Sequence, residues 1–449
     1  MLRLSTFIVC LLGASLTLGC RKSAEPEQKA LCSAPCPKPG PSKEVLRFPD
    51  VWKDFCNGPR SIPFEIFGGR QFVRVTLRGP KATREIWFHV DTTGTSKGVQ
   101  LARSVAEELG YASIADLPSG LSIAGHEIAL PTGAEWELQD DVAFRRDYAR
   151  RKGFSVGQLG AGFLSRFHVC IDPASKRLSL GDPAALEVDP KGGNGIRFVS
   201  QILGYNSALY PAVAAALVKR GEIAHQYGFL IDTGASSSML DESVVAFHHG
   251  KHPDWPFASG AFGDADMLGG EIAEQVLVVP EVTLLAPGYN QPTSPPNAQK
   301  LKAVQFVSRP TGQWGMFGSV KGRGTIGAVG NDVLARYRLL IDYARSRLFL
   351  APVPNAAGPL WERVGLSFEF KDGCPVIRRV AEANSPARKL VKVGDTLLSV
   401  DGKDACKLWH HELTQALAGK VGTLHDLELQ RGGRKLQVQV PTVRLLSGE

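Results

Sequence analysis

The sequence predicts an all-β chain, and three observations carry that expectation. Turn formers are abundant, with 48 Gly and 29 Pro among 449 residues, as expected where many short strands meet at tight turns. Apolar residues fall in short alternating runs bounded by turn residues, the period-2 pattern of half-buried strands. The chain also matches itself at a constant offset, so one strand-rich unit occurs twice. At roughly 150 residues per domain, the length suggests about three domains. Lys+Arg 52 against Asp+Glu 44 gives a net charge of +8, scattered without a basic run. That pattern argues against a nucleic-acid arm or a polybasic membrane patch, so no nucleic-acid partner is expected.

The N-terminus comes first in chain order. Met-Leu-Arg-Leu-Ser-Thr is followed by an apolar stretch from Phe7 to Leu18 and then Gly19-Cys20. A basic start, an apolar core too short to span a bilayer and a small residue before the cut describe a secretory signal over 1–19. The placing of Cys20 resembles the lipid-attachment cysteine of bacterial lipoproteins, although Thr17 stands where that family usually has Leu. This resemblance implies an exported, lipid-anchored chain in the cell envelope, facing the periplasm or the exterior, with lipid as its tie to the membrane. The alternative is an ordinary cleaved signal and a soluble secreted protein. Residues 20–60 then read as a tether, since the stretch from Arg21 to Pro41 is rich in Lys, Glu, Ala, Ser and Pro and cannot bury enough apolar surface to fold. Of the eight cysteines, Cys32, Cys36, Cys56, Cys170, Cys374 and Cys406 lie beyond Cys20. An even number in an export context favours disulfides over metal, because no second Cys/His pair at zinc-finger spacing follows Cys32 and Cys36.

The repeat occupies the middle of the chain. Gly157-Gln-Leu-Gly160, Leu164, Arg166, Phe167, Ile171-Asp172, Arg177-Leu178 and Leu180 fall on Gly327-Ala-Val-Gly330, Leu334, Arg336, Tyr337, Ile341-Asp342, Arg347-Leu348 and Leu350, an offset of 170. Upstream of each copy an apolar strand ends in Asp and a Thr/Gly turn: Trp87-Phe-His-Val-Asp91-Thr-Thr-Gly94-Thr-Ser96 and Phe229-Leu-Ile-Asp232-Thr-Gly234-Ala-Ser236. These aspartates are 141 apart, so the second copy holds 29 more residues between its two segments. Pro-rich Pro287 to Pro296 is the expected surface excursion. Each copy opens with a strand-like run, Ile66 to Leu77 and Tyr210 to Leu217. The two lobes are placed at 61–189 and 195–352.

Asp232-Thr233-Gly234-Ala235-Ser236 resembles the catalytic signature of the aspartyl proteases, specifically the bacterial retropepsin-like and pepsin-like families. The downstream apolar-Gly segments, Leu159-Gly160 and Val329-Gly330, resemble the stretch that crosses beneath the catalytic loop in that family. The resemblance covers about residues 62 to 352 and implies two lobes, each supplying one carboxylate. Two carboxylates at hydrogen-bonding distance cannot both ionise, so they share a proton. The ionised member takes a proton from water while the protonated member donates to the scissile carbonyl, with no cofactor or metal. The resemblance assigns Asp232 and Asp91 as catalytic. Thr233, Gly234, Ala235, Ser236, Thr93 and Gly94 support the catalytic loops, with Thr233 hydrogen-bonding across to the opposite lobe. Ala235 lacks the hydroxyl that other aspartyl proteases use to stabilise the ionised carboxylate, which predicts a pair shifted towards neutral pH.

The first lobe departs from the signature. Asp91-Thr92-Thr93-Gly94 has one residue more than Asp-Thr-Gly, so superposing Thr93-Gly94 on Thr233-Gly234 puts Thr92 in the catalytic slot unless the turn bulges. Three arrangements stay open: a bilobal Asp91/Asp232 dyad, a homodimer pairing two copies of Asp232, or a first lobe kept for structure or binding. Asp172 and Asp342 are also repeated acids, but each precedes a hairpin turn and is expected to form it. Phe262 to Gly270, Gly-rich, could close over substrate or be a plain hairpin. His248, His249 and His252 lack a helix-spaced acid partner and are expected in a solvated loop.

After Ala351-Pro-Val-Pro-Asn-Ala-Ala-Gly-Pro359, a linker by composition, the pattern changes. Gly365-Leu-Ser-Phe368, a strand Val376 to Val380, Ser385 to Leu390, and Val393-Gly-Asp-Thr-Leu-Leu-Ser-Val-Asp-Gly402 resemble a PDZ domain over 360–445, β-rich with two short helices. The resemblance implies that Gly365, Leu366, Ser367 and Phe368 form the loop receiving a peptide or protein C-terminus, with a helix from Trp409 to Leu417 beside the groove. Cys374 and Cys406 could bridge within this domain. The whole reads as an exported, lipid-anchored aspartic endopeptidase acting on polypeptide, with a PDZ domain for peptide recognition. Its rival is a non-catalytic peptide-binding lipoprotein with a degenerate first lobe.

Overall fold

In the computed structural model the described residues are 44–47, 50–67, 69–139, 156–189, 196–197, 199–203, 208–259, 275–285, 298–310, 319–320, 323–354, 356, 362–381, 385–408 and 410–446. They belong to one unit, Lys43–Glu449. The signal stretch, Cys20, Cys32, Cys36, Phe262 to Gly270, Pro287 to Pro296 and Trp409 lie outside the described residues.

The architecture is all-β, built from two related lobes and a smaller C-terminal domain. In the first lobe the run from Ile66 to Leu77, expected as one strand, holds the end of Ile62–Phe67 and most of Arg70–Arg78, two strands paired antiparallel as a hairpin. Gly69 turns the chain at φ +76°, a left-handed conformation that favours glycine. Arg70–Arg78 pairs antiparallel with Thr83–Val90, which pairs in parallel with Val156–Leu159. The second lobe repeats the order: Ala208–Lys219 pairs antiparallel with Glu222–Ile231, which pairs in parallel with Arg323–Val329. In both lobes the strand ending in Asp is therefore flanked by the lobe's opening strand and its apolar-Gly strand. Each apolar-Gly strand ends in a glycine jammed against the loop after the aspartate. A Cβ on Gly160 would lie 2.7 Å from the Thr95 backbone, and one on Gly330 would lie 2.5 Å from the Ser237 carbonyl oxygen. A short helix follows each, Ala161–Leu164 and Asn331–Leu334.

The lobes join through a shared sheet. His168–Asp172 of the first pairs antiparallel with Tyr337–Asp342 of the second, with Cys170 opposite Leu340. Leu340 is the counterpart of Cys170 at the offset of 170, so the local two-fold axis passes between them. Asp172 and Asp342 accept backbone N–H bonds from Ala174 and Arg345, the turn role expected of them. Each is also reached from the opposite lobe: Arg338 Nε lies 3.1 Å from Asp172, and His168 Nδ1 lies 3.3 Å from Asp342. Arg338 and His168 are themselves counterparts in the repeat. A disulfide, Cys56–Cys170, ties the helical turn Val51–Cys56 to this central sheet.

The histidines expected in a loop sit otherwise. His248 and His249 lie on the helix Glu242–Lys251, and His248 is fully buried, stacked at 5.6 Å on Trp255. The apolar Val245 and the aromatic neighbours on that face draw the ring inward. Among the described residues no group of three or more His, Cys, Asp or Glu could hold a metal ion.

In the C-terminal domain Leu366–Lys371 is an edge strand paired with Cys374–Val380, followed by the short helix Ala387–Leu390, the strand Thr396–Val400, the helix His410–Ala416 and the hairpin Leu424–Arg431/Arg434–Pro441. Its core gathers Phe368, Ile377, Leu397, Leu413, Leu427 and Leu429. Cys374 and Cys406 form a disulfide within it.

Candidate active site

Asp91 and Asp232 each sit immediately after a buried strand, and each backbone N–H donates to the apolar-Gly strand of its own lobe, to Leu159 O and Val329 O, at 3.0 Å in both cases. The two turns then meet at the centre. Thr92 N–H donates to Thr233 Oγ1 at 3.0 Å and Thr233 N–H to Thr92 Oγ1 at 3.1 Å. The hydroxyls in turn donate across the lobes, Thr92 to Ile231 O at 2.6 Å and Thr233 to Val90 O at 2.9 Å. This reciprocal set fixes the register of the repeat at the site. Thr92 is the counterpart of Thr233, so Asp91 stands opposite Asp232 without any bulge. The superposition of Thr93 on Thr233 does not occur, because the turn's hydrogen bonds select the residue directly after the aspartate. Thr93 takes the place of Gly234, and Gly94 that of Ala235.

The inner carboxylate oxygens are held alike. Asp232 Oδ1 accepts from the N–H groups of Gly234 and Ala235 at 2.8 and 3.0 Å, and Asp91 Oδ1 accepts from Thr93 N–H at 2.9 Å. Gly234 shows how closely the turns press: a Cβ there would lie 2.2 Å from Asp91 Cγ. Thr93 does carry a side chain at the matching place. Its hydroxyl lies 3.0 Å from Asp91 Oδ1 and also hydrogen-bonds Asp232. Ser236 lies near Gly69, whose Cβ would come 3.3 Å from its own.

Each turn is braced by the other lobe's opening strand. Arg70 Nε donates to Gly234 O at 2.8 Å, and Tyr210 OH donates to Gly94 O at 3.1 Å. Gln71 donates to Asn331 Oδ1 at 2.9 Å, and Asn331 donates to Thr233 O at 2.7 Å. Reading the sequence missed all four, along with His89 and Gln158. The only available signal was polarity inside otherwise apolar strands: Gln158 stands where the second copy has Ala328.

The electrostatics follow from burial. Asp91 is 7% and Asp232 8% exposed. Burial, and then the Asp232 charge, push Asp91 up to about 7, against hydrogen bonds from Thr93 and the Arg70 guanidinium. Burial also raises Asp232, opposed by Thr93, the N–H groups of Gly234 and Ala235, and Arg70. His89 is fully buried, stacked 5.1 Å from Phe72, with Nδ1 4.0 Å from Asp91 Oδ2. Burial and the Arg70 charge hold it well below the usual histidine range, so its ring is neutral. Such a pair retains one proton between two carboxylates near neutral pH, which is what acid–base activation of a bound water requires.

The second predicted site is in the C-terminal domain. Gly365 precedes the edge strand, whereas Leu366, Ser367 and Phe368 lie within it and are 5%, 2% and 1% exposed. A Cβ on Gly365 would lie 2.5 Å from Ala381 Cβ and 2.7 Å from Leu445 Cδ2. The helix His410–Ala416 belongs to the same domain, and its Leu413 packs in the core with Leu366 and Phe368.

Residues 363–442 match the PDZ domain family. No curated protein matches the chain. Among solved structures it is similar to the aspartic proteinase from Irpex lacteus, at 13% identity and a TM-score of 0.37, covering 66% of this chain and 97% of that one. It is also similar to the photosystem II D1 C-terminal processing protease, at 16% identity and a TM-score of 0.18, covering 24% of this chain and 28% of the other. The edge strand Leu366–Lys371 and the helix His410–Ala416 are thus parts of a PDZ domain, a module in which an added peptide strand lies along such an edge.

Proposed function

We propose that this chain is an aspartic endopeptidase in which Asp91 and Asp232 of one molecule activate a water, and that its PDZ domain recruits the polypeptide. The observation that carries the reading is the cross-lobe Thr92/Thr233 hydrogen-bond set, which holds two buried aspartates face to face with raised proton affinity. Asp232, whose Oδ1 accepts two backbone N–H groups, is the ionised member and takes the proton from water. Asp91 carries the shared proton and donates it to the scissile carbonyl oxygen. The water then attacks the carbonyl carbon without a covalent enzyme intermediate.

Cleavage of an unfolded protein by the wild type, Asp232→Asn and Asp91→Asn tests this. Loss of more than about 1000-fold in both variants is expected, as for removal of a group acting in the reaction. Loss in Asp232→Asn alone would point to a homodimer. An inactive wild type, unaffected by a transition-state mimic, would favour the peptide-binding reading, and full activity in Asp232→Asn would overturn the mechanism.

The same reading places the chain outside the cytoplasm, held by lipid on Cys20. The two disulfides, Cys56–Cys170 and Cys374–Cys406, support it, because such bonds persist in oxidising compartments. Cys20→Ala is expected to move the chain from the membrane to the soluble fraction, and an unchanged membrane fraction would exclude that anchor.

A further inference from the structure

The dyad is not symmetric, and the difference lies in a residue outside both aspartate turns. Gln158, 6% exposed on the apolar-Gly strand of the first lobe, donates from Nε2 to Asp91 Oδ2 at 2.8 Å. The amide can face only that way, because its Oε1 accepts the backbone N–H of Thr95 at 3.2 Å, a donor that cannot be reversed. The counterpart in the second lobe is Ala328, which has nothing to donate. Gly94 makes room for the amide: a Cβ there would lie 2.7 Å from Gln158 Cδ.

An N–H aimed at Oδ2 means that this oxygen must accept. Oδ1 accepts likewise from the Thr93 backbone N–H at 2.9 Å, so a fixed N–H donor meets each oxygen of Asp91. We infer that Gln158 is a positioning residue that tunes the dyad, holding a fixed amide donor against Asp91 Oδ2 so that Asp91 gives up its proton more readily than its burial would allow. The inference rests on the protease reading above. Its physical ground is that a donor on Oδ2 favours the ionised carboxylate, whereas Ala328 offers Asp232 no such donor. The other titratable groups facing Asp91 are Asp232, Arg70, Tyr210, Tyr343 and the neutral ring of His89. The His89 Nδ1 lies 4.0 Å from Oδ2, beyond hydrogen-bonding distance, against 2.8 Å for the Gln158 amide.

The test compares wild type, Gln158→Leu and Gln158→Glu in pH–rate profiles. It also titrates aspartate carboxyl carbons by 13C NMR, with Asp232→Asn for assignment. In Gln158→Leu the basic limb of kcat/KM and the NMR titration of Asp91 should both move up by about one pH unit. Gln158→Glu keeps the acceptor for Thr95 N–H but sets a second carboxylate beside Oδ2, so it should move both midpoints up further than Gln158→Leu does. A plateau that falls while both pH midpoints stay put would assign Gln158 a merely structural role and overturn the inference, as would unchanged profiles. If the wild type turns over no substrate, the protease reading fails. The NMR titration then still decides whether Gln158 controls Asp91.

Discussion

A buried carboxylate beside another is a liability to the fold as well as a tool. Asp91 has its proton affinity raised from an ordinary value near 3.8 to about 7. A group raised in this way contributes its stability fully below about pH 4 and loses it as pH rises through about 7. The wild type should therefore lose roughly 3–4 kcal/mol of stability between those limits from this pair. Asp232→Asn removes the like charge and keeps the acceptor for the N–H groups of Gly234 and Ala235. It is expected to melt several degrees above the wild type at pH 8 and level with it at pH 4. A variant that melts below the wild type at pH 8 would contradict the raised proton affinity. At this scale the sequence made Asp232 legible, since Asp-Thr-Gly-Ala-Ser is a compact local signature. Asp91 was ambiguous by one residue, because the place of Thr92 depends on hydrogen bonds to Thr233, 141 positions away.

At the scale of elements, the repeat predicted two lobes of like strands, and the sheets have that form. What the repeat did not state was how the copies meet. The shared sheet pairs counterpart strands about Cys170 and Leu340, and its two cross-lobe side-chain contacts, Arg338–Asp172 and His168–Asp342, are images of each other. Asp342 is held below the usual carboxylate range: burial raises it, but His168 and Arg345 outweigh that cost. The Cys56–Cys170 disulfide closes a loop with a sequence separation of 114, which in the chain-entropy account stabilises by about 4–5 kcal/mol. Even cysteine number hinted at such bonds, but pairing requires Cα atoms within reach, here 5.4 Å, and only the folded chain sets that distance. The helix carrying His248 was misread as a loop for a related reason. His248 is buried by aromatic neighbours from outside the helix, Tyr227 and Trp255, which a local pattern does not reveal.

Over the whole molecule, the PDZ domain is not simply strung from a linker. Ala381, Leu445 and Leu446 pack in one apolar cluster with Ala258, Val276, Val278 and Val307 of the second lobe. Ala381 and Leu445 are also the residues against Gly365, so the edge of the predicted peptide loop lies one layer from that lobe. Truncating a buried leucine costs about 2–5 kcal/mol. The double variant Leu445→Ala/Leu446→Ala should therefore split a single calorimetric transition into two, with the PDZ domain melting separately from the lobes. A wild type that already melts in two separate steps would show that this packing does not couple them. By itself the sequence determined the strand-rich class, the duplication, the Asp232 turn and the PDZ domain, because each is written in local spacing or in periodicity. The tertiary structure alone decided that Asp91 faces Asp232, that Gln158, Arg70 and Tyr210 surround them, and which cysteines join. Those facts depend on side chains brought together from distant positions, and only packing around the two-fold axis specifies them.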